Sequence, residues 1–367
     1  MTSERSELLK TRMNRGFLYS FLALALSAAL AAGCGTAPGF AGDGAGAETG
    51  EGKRFAIVTK SAGNPYGERE SAGFAEVIEA LGGTVVMEDP ETASADAQIS
   101  VIRSLMSRGI DAIAVAANDE NALSEVLLDA AAAGIKVVTL DSDVDPRYRL
   151  TFCNQTDAQE VAVTLMDAIW DMTGGEGEYA ILSATPQATN QNAWIHAMKE
   201  LAETDEKYSG LILDEVCYGN DEEARSTEKT KELLDKYPNI KVICVPTVMG
   251  ITSAAAVLKS EGSEVKLTGL GLPSEMKDYI GNGKDDPCPY MFLWNPVDLG
   301  RLAAYASWAL VEGSITGAVG DTFEAGDIEN SPYTLTEVPG SDGASEIILG
   351  TPLEFNPDNI VEWAELF

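Results

Sequence analysis

The chain has a single histidine, His196, few basic residues and no nucleotide-binding motif, and each shortage excludes a class of function. One histidine provides neither a base for a Ser or Cys nucleophile nor a His-rich metal site. The loop after the first predicted strand, residues 59–65, lacks a G-x-G-x-x-G pattern, and the chain contains no Walker sequence. We therefore expect no cofactor, no metal ion and no nucleotide chemistry.

Positive charge is also scarce, since 25 Lys and Arg residues stand against 58 Asp and Glu residues, a formal net charge of −33. Loss of the first 33 residues, which carry four basic and two acidic side chains, would bring the charge to −35. Such a surface repels nucleic acid and anionic headgroups. It also disfavours a phosphorylated ligand, so neutral or cationic solutes remain.

Cysteine is infrequent, and its spacing matches no zinc motif. Cys153 and Cys244 lie in apolar, strand-like runs, where cysteine behaves as a small hydrophobic residue. We expect Cys153, Cys217, Cys244 and Cys288 to be buried free thiols, with a disulfide among them as the alternative.

The N-terminal residues read as a targeting signal rather than as part of the fold. Basic residues precede an apolar run, 17–32, that is too short and too Ala-rich for a comfortable membrane span. The run leads into Cys34 in a pattern that resembles a bacterial lipoprotein signal. By that resemblance residues 1–33 are removed and Cys34 is lipidated; a plain secretory signal is the alternative, and Met13 is a second possible start. Residues 34–52, rich in Gly and Ala, predict a flexible tether.

From residue 54 onward, short apolar runs alternate with helical patterns, which is typical of βα units and predicts parallel sheets with right-handed crossovers. A chain of 367 residues is too long for one core of ordinary size. The predicted strands cover residues 55–58, 84–87, 111–115, 137–140 and 148–153 in a first array, 178–182, 211–216, 242–245 and 266–270 in a second, and 290–294 beyond it. Two arrays of similar size predict two similar α/β lobes.

The candidate site follows from the strand ends, because open α/β sheets bind ligands at the carboxyl edges of their strands. Residues 137–140 are apolar or β-branched and lead into Asp141, which would point a carboxylate into a crevice. The same rule brings in further residues after other strands: Lys60, Tyr66, Asn190, Gln191, Pro246, Val248, Trp294 and Asn295. A cation, a carboxylate, amides and an indole suit a small polyhydroxylated molecule.

Each of these residues also has a purely structural interpretation. Asp141 could cap a turn, Lys60 could be a solvated residue at a strand end, and Trp294 could belong to the core. Asn190 could cap a helix. The ligand-binding interpretation rests on the joint pattern.

On these residues the chain, from 54 to the C-terminus, resembles the type I periplasmic binding proteins that serve as solute receptors of sugar ABC transporters. Within that group it is most similar to the autoinducer-2-binding and rhamnose-binding receptors. The resemblance implies two Rossmann-like parallel-sheet lobes joined by a three-segment hinge, with crossings near Asn154, Asn295 and Asp321. The N-terminal lobe would comprise 53–153 and 295–320, and the C-terminal lobe 154–294 and 321–367.

The resemblance also implies ligand contacts. The autoinducer-2 receptors use a Lys, an Asp, an Asp-Gln pair and backbone atoms around a Pro and an Ala. Lys60, Asp141, Gln191 and Pro246 match, whereas the family's second Asp is Asn190 here and its Ala is Val248. These two departures favour rhamnose, or another neutral sugar, over autoinducer-2.

The resulting hypothesis is an extracytoplasmic, lipid-anchored, monomeric sugar receptor, not an enzyme, that closes over its ligand and delivers it to an ABC permease and ATPase. Autoinducer-2 uptake or sensing, or presentation of ligand to a chemoreceptor or kinase, is the alternative. A secreted glycoside hydrolase that uses a carboxylate pair such as Asp141 and Asp143 is disfavoured, because we do not expect these two side chains to flank one glycosidic bond.

Overall fold

The computed structural model describes residues 52–283 and 285–367. The predicted signal peptide, the lipidation of Cys34 and the tether up to residue 51 lie outside the described residues. The strands, in chain order, are β1 Arg54–Val58, β2 Thr84–Met87, β3 Ala112–Val115, β4 Lys136–Leu140, β5 Thr151–Asn154, β6 Gly177–Ser183, β7 Leu211–Tyr218, β8 Ile240–Val245, β9 Lys266–Gly269, β10 Met291–Leu293, β11 Thr322–Phe323, β12 Tyr333–Thr334, β13 Thr336–Glu337, β14 Ser345–Ile348 and β15 Leu353–Phe355. The helices are α1 Pro65–Ala80, α2 Ala95–Met106, α3 Ser124–Ala132, α4 Ala158–Thr173, α5 Thr189–Thr204, α6 Glu223–Lys236, α7 Val248–Glu261, α8 Pro273–Met276, α9 Pro296–Glu312 and α10 Ile360–Trp363.

The first lobe is built on a seven-stranded sheet of order β13-β14-β5-β4-β3-β1-β2. All neighbouring strands in it are parallel except β13 and β14. Strand β3, Ala-Ile-Ala-Val, is buried along its whole length, as expected where helices cover both faces of a parallel sheet. The helices begin and end where the sequence favours it: Asp157 caps α4 through its side chain, and Gly174 ends α4 at a φ of 76°.

The second lobe contains a parallel sheet of order β7-β6-β8-β9, extended on one side by β10 and β15. An isolated parallel bridge between Leu270 and Phe292 joins β10 to the end of β9, and β15 then pairs with β10 in antiparallel orientation. The predicted fold class, α/β with two parallel-sheet lobes, is confirmed. The four cysteines of the described residues are free and buried, as expected, and burial raises the pKa of the Cys217 and Cys244 thiols to about 12.

The chain passes between the lobes three times. It leaves the larger sheet after β5, returns between β10 and α9, and leaves again between β14 and β15. The expected third crossing near Asp321, with 321–367 in the second lobe, is therefore wrong. Residues 345–348 instead form a strand parallel to β5, because this edge of the first sheet is open and Ser345, Glu346 and Ile347 become buried there. The first lobe thus includes β13 and β14, and the second gains only 353–367.

Helices α1 and α9 pack against each other at two glycines. A Cβ atom on Gly73 would lie 2.0 Å from the carbonyl oxygen of Val297, and one on Gly300 would lie 1.9 Å from that of Glu70. Both distances are far below van der Waals contact, so the helices approach as closely as they do only because these two positions have no side chain. This contact fixes α1, the helix that follows the first candidate ligand residue, Lys60.

We predict that Gly300→Ala destabilises the protein by about 1–3 kcal/mol, because the added methyl group forces the two helices apart, and this outweighs the higher helix propensity of alanine. Urea-induced unfolding measures the change. Gly350→Ala is the control, since a Cβ there would meet the side chain of Asn330 at an ordinary 3.6 Å. Equal stability of the two variants would contradict the close packing.

Candidate functional site

A cavity of about 580 Å³ is formed by residues that follow the carboxyl ends of strands in both lobes. Its lining consists of Lys60, Asn64, Tyr66, Ala93, Asn118, Asp141, Ala184, Thr185, Ala188, Asn190, Gln191, Trp194, Asp221, Pro246, Thr247, Val248, Leu270, Leu293 and Trp294. The structure thereby brings together eight of the nine residues that sequence analysis selected.

Asn295, the ninth selected residue, does not line the cavity. Its side chain caps α9 by accepting hydrogen bonds from the backbone N–H groups of Val297 and Asp298, and it donates to the Asp298 carboxylate. Asn295 follows a strand, which is why the strand-end rule selected it. The same residue is also the N-cap of α9, and the hydrogen bonds of the cap occupy its side chain. The structure thus gives the Asn295 side chain a helix-capping role outside the cavity lining, and its predicted contact with a ligand stays a prediction.

The polar centre of the cavity is a triangle of Lys60, Asp141 and Asn190. Lys60 Nζ lies 3.4 Å from Asp141 Oδ2 and 3.4 Å from Asn190 Oδ1. Asn190 Nδ2 donates to Asp141 Oδ1 over 3.1 Å. Asn190 belongs to the second lobe, whereas Lys60 and Asp141 belong to the first. The two hydrogen bonds of Asn190 therefore cross the cleft.

Asp141 has a backbone φ of 58°, a left-handed conformation that costs energy for a residue other than glycine. The conformation turns the chain directly after β4, so the carboxylate faces the cavity. Nearby, Asp143 faces away and serves a structural role. Its carboxylate accepts from Thr139 Oγ1 at 2.5 Å, from the backbone of Val144 at 2.9 Å and from the Arg149 guanidinium.

Arg149 connects this loop to the third crossing. Its side chain is 1% exposed, pairs with Asp143 at 2.6 Å through Nη2, and donates through Nη1 to the carbonyl oxygen of Ser345 at 2.6 Å. Ser345 begins β14, the strand that precedes the third crossing. The loop that carries Asp141 and the hinge segment are thus joined by one buried cation.

Gln191 and the N-terminus of α7 add hydrogen-bonding groups. Gln191 Oε1 accepts from Ser183 Oγ at 2.6 Å and from the Ala184 N–H at 2.8 Å, which leaves its amide nitrogen for a cavity ligand. Val248 is the first residue of α7, and the residue before it, Thr247, makes no side-chain cap. The first N–H groups of this helix, beside Pro246, are therefore available to an oxygen atom of a ligand.

Aromatic side chains form one wall. Trp294 Nε1 donates to the Tyr66 hydroxyl over 2.6 Å, with the two rings edge to face at 6.5 Å. Trp194 packs against Trp294 at a centroid distance of 5.7 Å. Burial, followed by the neighbouring carboxyl groups of Glu70 and Asp141, raises the pKa of Tyr66 well above its ordinary value, so Tyr66 keeps its proton.

Sequence reasoning missed a second polar group, centred on Asp221. Asp221 accepts from Asn64 Nδ2 and from Thr247 Oγ1, each at 2.7 Å. Burial raises the pKa of Asp221, although these two hydrogen bonds and Lys60 oppose the change. Asp221 follows β7, so the strand-end rule would have selected it had the rule been applied to that strand. Asn118, after β3, likewise lines the cavity and donates to the Lys60 carbonyl oxygen at 2.8 Å.

The family model of the periplasmic binding protein domain matches residues 55–315 of this chain. The chain therefore belongs to the periplasmic binding protein family. An ABC transporter solute-binding protein from Clostridium phytofermentas with bound L-rhamnose is 51% identical, with a TM-score of 0.83, over 86% of this chain and 99% of that one. A sugar ABC transporter protein from Actinomyces odontolyticus is 37% identical, with a TM-score of 0.66, over 84% and 97%.

A third structure, LsrB from Clostridium saccharobutylicum in complex with AI-2, is 23% identical over 84% of this chain and 98% of that one. Its TM-score of 0.77 supports the shared fold alone. The prediction of an ABC-transporter solute-binding protein of the sugar class, rather than an enzyme, is confirmed by the family and by the two more similar relatives. The family implies an extracytoplasmic location, and within the described residues no helix has the length and apolar character of a membrane span.

We predict that Arg149→Met destabilises the protein by about 2–4 kcal/mol, because it removes the buried guanidinium that pairs with the half-buried carboxylate of Asp143 and that donates to the carbonyl oxygen of Ser345. Urea unfolding measures the loss. Arg147→Met is the matched control, since Arg147 is 77% exposed and its pair with Asp145 lies at the surface, where ion pairs contribute about 0–1 kcal/mol. Similar losses in both variants would contradict a special role for the buried pair.

Proposed function

We propose that this protein is the receptor of an ABC importer for a neutral sugar, with an L-rhamnose-like deoxyhexose as the favoured ligand. The residues proposed to hold the sugar are Lys60, Tyr66, Asp141, Asn190, Gln191, Pro246, Val248 and Trp294. We further propose a monomer that is anchored to the outer face of the membrane through a lipid on Cys34 and delivers its ligand to a permease and ATPase complex.

The observation that carries this proposal is the convergence of polar groups from both lobes on one cavity with an aromatic wall. Lys60, Asp141 and Asn190 offer donors and acceptors suited to paired hydroxyl groups. Trp194 and Trp294 offer faces that suit the C–H side of a sugar ring. Such a mixture is expected for a polyol and not for an apolar ligand.

The charge of the lining supports a neutral ligand. Two carboxylates, Asp141 and Asp221, stand against one cation, Lys60, which is already paired with Asp141. An anionic ligand such as a sugar phosphate or a sugar acid would meet repulsion at short range in a partly dehydrated site. Hydroxyl groups, in contrast, can donate to these carboxylates without adding charge.

The apolar part of the lining supports a deoxysugar. Leu270, Leu293 and the two tryptophans present surface on which a methyl group is more favourable than a hydroxyl group, which would lose its hydrogen bonds to water there. The 51% identity to a protein with bound L-rhamnose points the same way. Asn190 in place of a carboxylate and Val248 in place of alanine separate the site from the autoinducer-2 receptors.

Binding by closure of the lobes is supported by three hydrogen bonds across the cleft. Asn190 reaches Asp141 and Lys60, and Asn64 reaches Asp221. These pairs lie on opposite lobes, so they form only when the lobes approach each other. A sugar that contacts both lobes would shift the equilibrium toward this closed arrangement.

We predict that isothermal titration calorimetry detects binding of L-rhamnose, and that Asp141→Ala weakens it by about 10- to 100-fold, the value of a charged hydrogen bond of about 1.5–3 kcal/mol. Asp129→Ala, on the exposed face of α3, is the control and should bind like the wild type. A thermal-shift panel of other deoxysugars, ribose and autoinducer-2 ranks the competing ligands. Unchanged affinity in folded Asp141→Ala would refute the site, and a larger shift with autoinducer-2 would refute the choice of sugar.

A further inference from the structure

Asp221 is a carboxylate of the cavity lining, and it lies in a strained loop after β7. Asn220 and Asp221 have φ angles of 57° and 56°, so two consecutive residues other than glycine are left-handed. Asn and Asp tolerate this conformation better than other residues, but it persists only where the surrounding structure holds it. Here the N–H of Asn220 donates to the carbonyl oxygen of Ala184 over 2.7 Å and ties the loop to the end of β6. The loop thereby holds the Asp221 carboxylate at the cleft.

The two oxygens of Asp221 accept hydrogen bonds from opposite lobes. Oδ2 accepts from Asn64 Nδ2 and Oδ1 accepts from Thr247 Oγ1, each over 2.7 Å. Thr247 belongs to the second lobe, as Asp221 does, whereas Asn64 belongs to the first. These three residues form an interlobe latch in which Thr247 orients the carboxylate and Asn64 is the partner across the cleft.

The polarity of the bond across the cleft is fixed by the second role of Asn64. Asn64 is the N-cap of α1, and its Oδ1 accepts from the backbone N–H of Tyr66 over 3.0 Å. A backbone N–H can only donate, so the amide oxygen must face the helix and the amide nitrogen must face Asp221. The latch therefore needs a donor at residue 64 and an acceptor at residue 221.

Asp221 also bonds to the residues that begin two helices from opposite lobes. Thr247 occupies the N-cap position of α7 but makes no side-chain cap, and its hydroxyl donates to Asp221 instead. The N-termini of α1 and α7 both carry partial positive charge. One carboxylate between the residues that begin them offsets the repulsion of these two helix ends when the lobes approach.

The latch differs from the other hydrogen bonds across the cleft in its partners and its length. The bonds of Asn190 measure 3.1 Å to Asp141 and 3.4 Å to Lys60, and all three residues belong to the set proposed to hold the sugar. A bound sugar would compete for those groups. The bond from Asn64 to Asp221 is shorter, at 2.7 Å, and joins two residues outside that set.

We propose that Asp221 is a positioning residue of the sugar site, which holds the two lobes together by accepting hydrogen bonds from Asn64 and Thr247. The latch consists of the protein's own groups, so it favours closure with or without a sugar. It strengthens binding by raising the fraction of the chain that is closed. Its effect on affinity rests on the proposed function, whereas its effect on the lobes does not.

The first test exchanges the two latch residues and measures L-rhamnose affinity by calorimetry. Asn64→Asp keeps an oxygen for the cap of α1 but sets a second carboxylate against Asp221, so it should weaken binding by about tenfold or more. The double variant Asn64→Asp/Asp221→Asn restores one donor and one acceptor across the cleft with their roles exchanged. It should bind within about threefold of the wild type.

Asn121→Asp is the control for the first test, since it adds the same charge at an exposed position of the first lobe and should bind like the wild type. Wild-type affinity in Asn64→Asp would overturn the proposal. A double variant that binds as weakly as Asn64→Asp would overturn it as well, because Asn64 or Asp221 would then serve the sugar directly and not through its partner.

The second test uses no sugar, so it separates failure of this proposal from failure of the proposed function. Double electron–electron resonance measures the separation of spin labels at Glu91→Cys in the first lobe and Gln187→Cys in the second, both exposed and both after strand ends. Cys34→Ser removes one further thiol, and the remaining four are buried.

In the labelled protein, Asn64→Asp should move the distribution toward longer separations, and the double variant should return it to that of the wild type. A shift that the double variant reverses supports the latch even if rhamnose does not bind. The same distribution in the wild type and in Asn64→Asp would overturn the proposal even if rhamnose binds.

Discussion

The ion pair of Lys60 and Asp141 is the interaction around which the site is arranged. The left-handed backbone conformation of Asp141 turns its carboxylate toward Lys60, and Lys60 lies close by because it follows the carboxyl end of β1. Asn190 of the other lobe then bonds to both. A cation and an anion that neutralise each other leave hydrogen-bonding capacity without net charge, which is what recognition of an uncharged polyol requires.

Acidity is the second constraint on the cavity. Asp141, Asp221 and Glu70 lie near one lysine, Lys60, and Asp89 lies near Glu70. Burial raises the pKa of Asp221 and of Glu70. Two of these carboxylates are satisfied by hydrogen bonds: Asp89 accepts two from Thr59, and Asp221 accepts from Asn64 and Thr247. The raised pKa of Glu70 favours its uncharged form. The cleft thus contains many oxygen acceptors, and its carboxyl groups outnumber its one lysine.

The sequence was sufficient to predict two parallel-sheet lobes and the polar centre of the cavity, because buried parallel strands are short, continuous apolar runs whose carboxyl ends are easily located. It failed where one local pattern has two uses. Asn295 follows a strand but caps a helix. Glu70 lies in a helix interior, where a glutamate ordinarily indicates a solvated face, yet it is buried, and its backbone abuts Gly300 of α9. Residues 345–348 form only a short β-like stretch, and the sequence does not show which sheet it joins. Their pairing depends on the open edge beside β5, which only the folded first lobe presents.

The position of the third crossing links the site to the hinge. Because β14 lies beside β5, the two outgoing crossings leave the first sheet from neighbouring strands, and Asn154 at the end of β5 donates to Glu346 of β14 over 2.8 Å. Arg149 then joins β14 to Asp143, two residues from Asp141. A rotation of the lobes about the ends of β5 and β14 would therefore start from strands that are hydrogen-bonded to the loop that carries Asp141. The carboxylate of Asp141 would therefore keep its place in the first lobe while Asn190, carried by the second lobe, makes or breaks its bond to it.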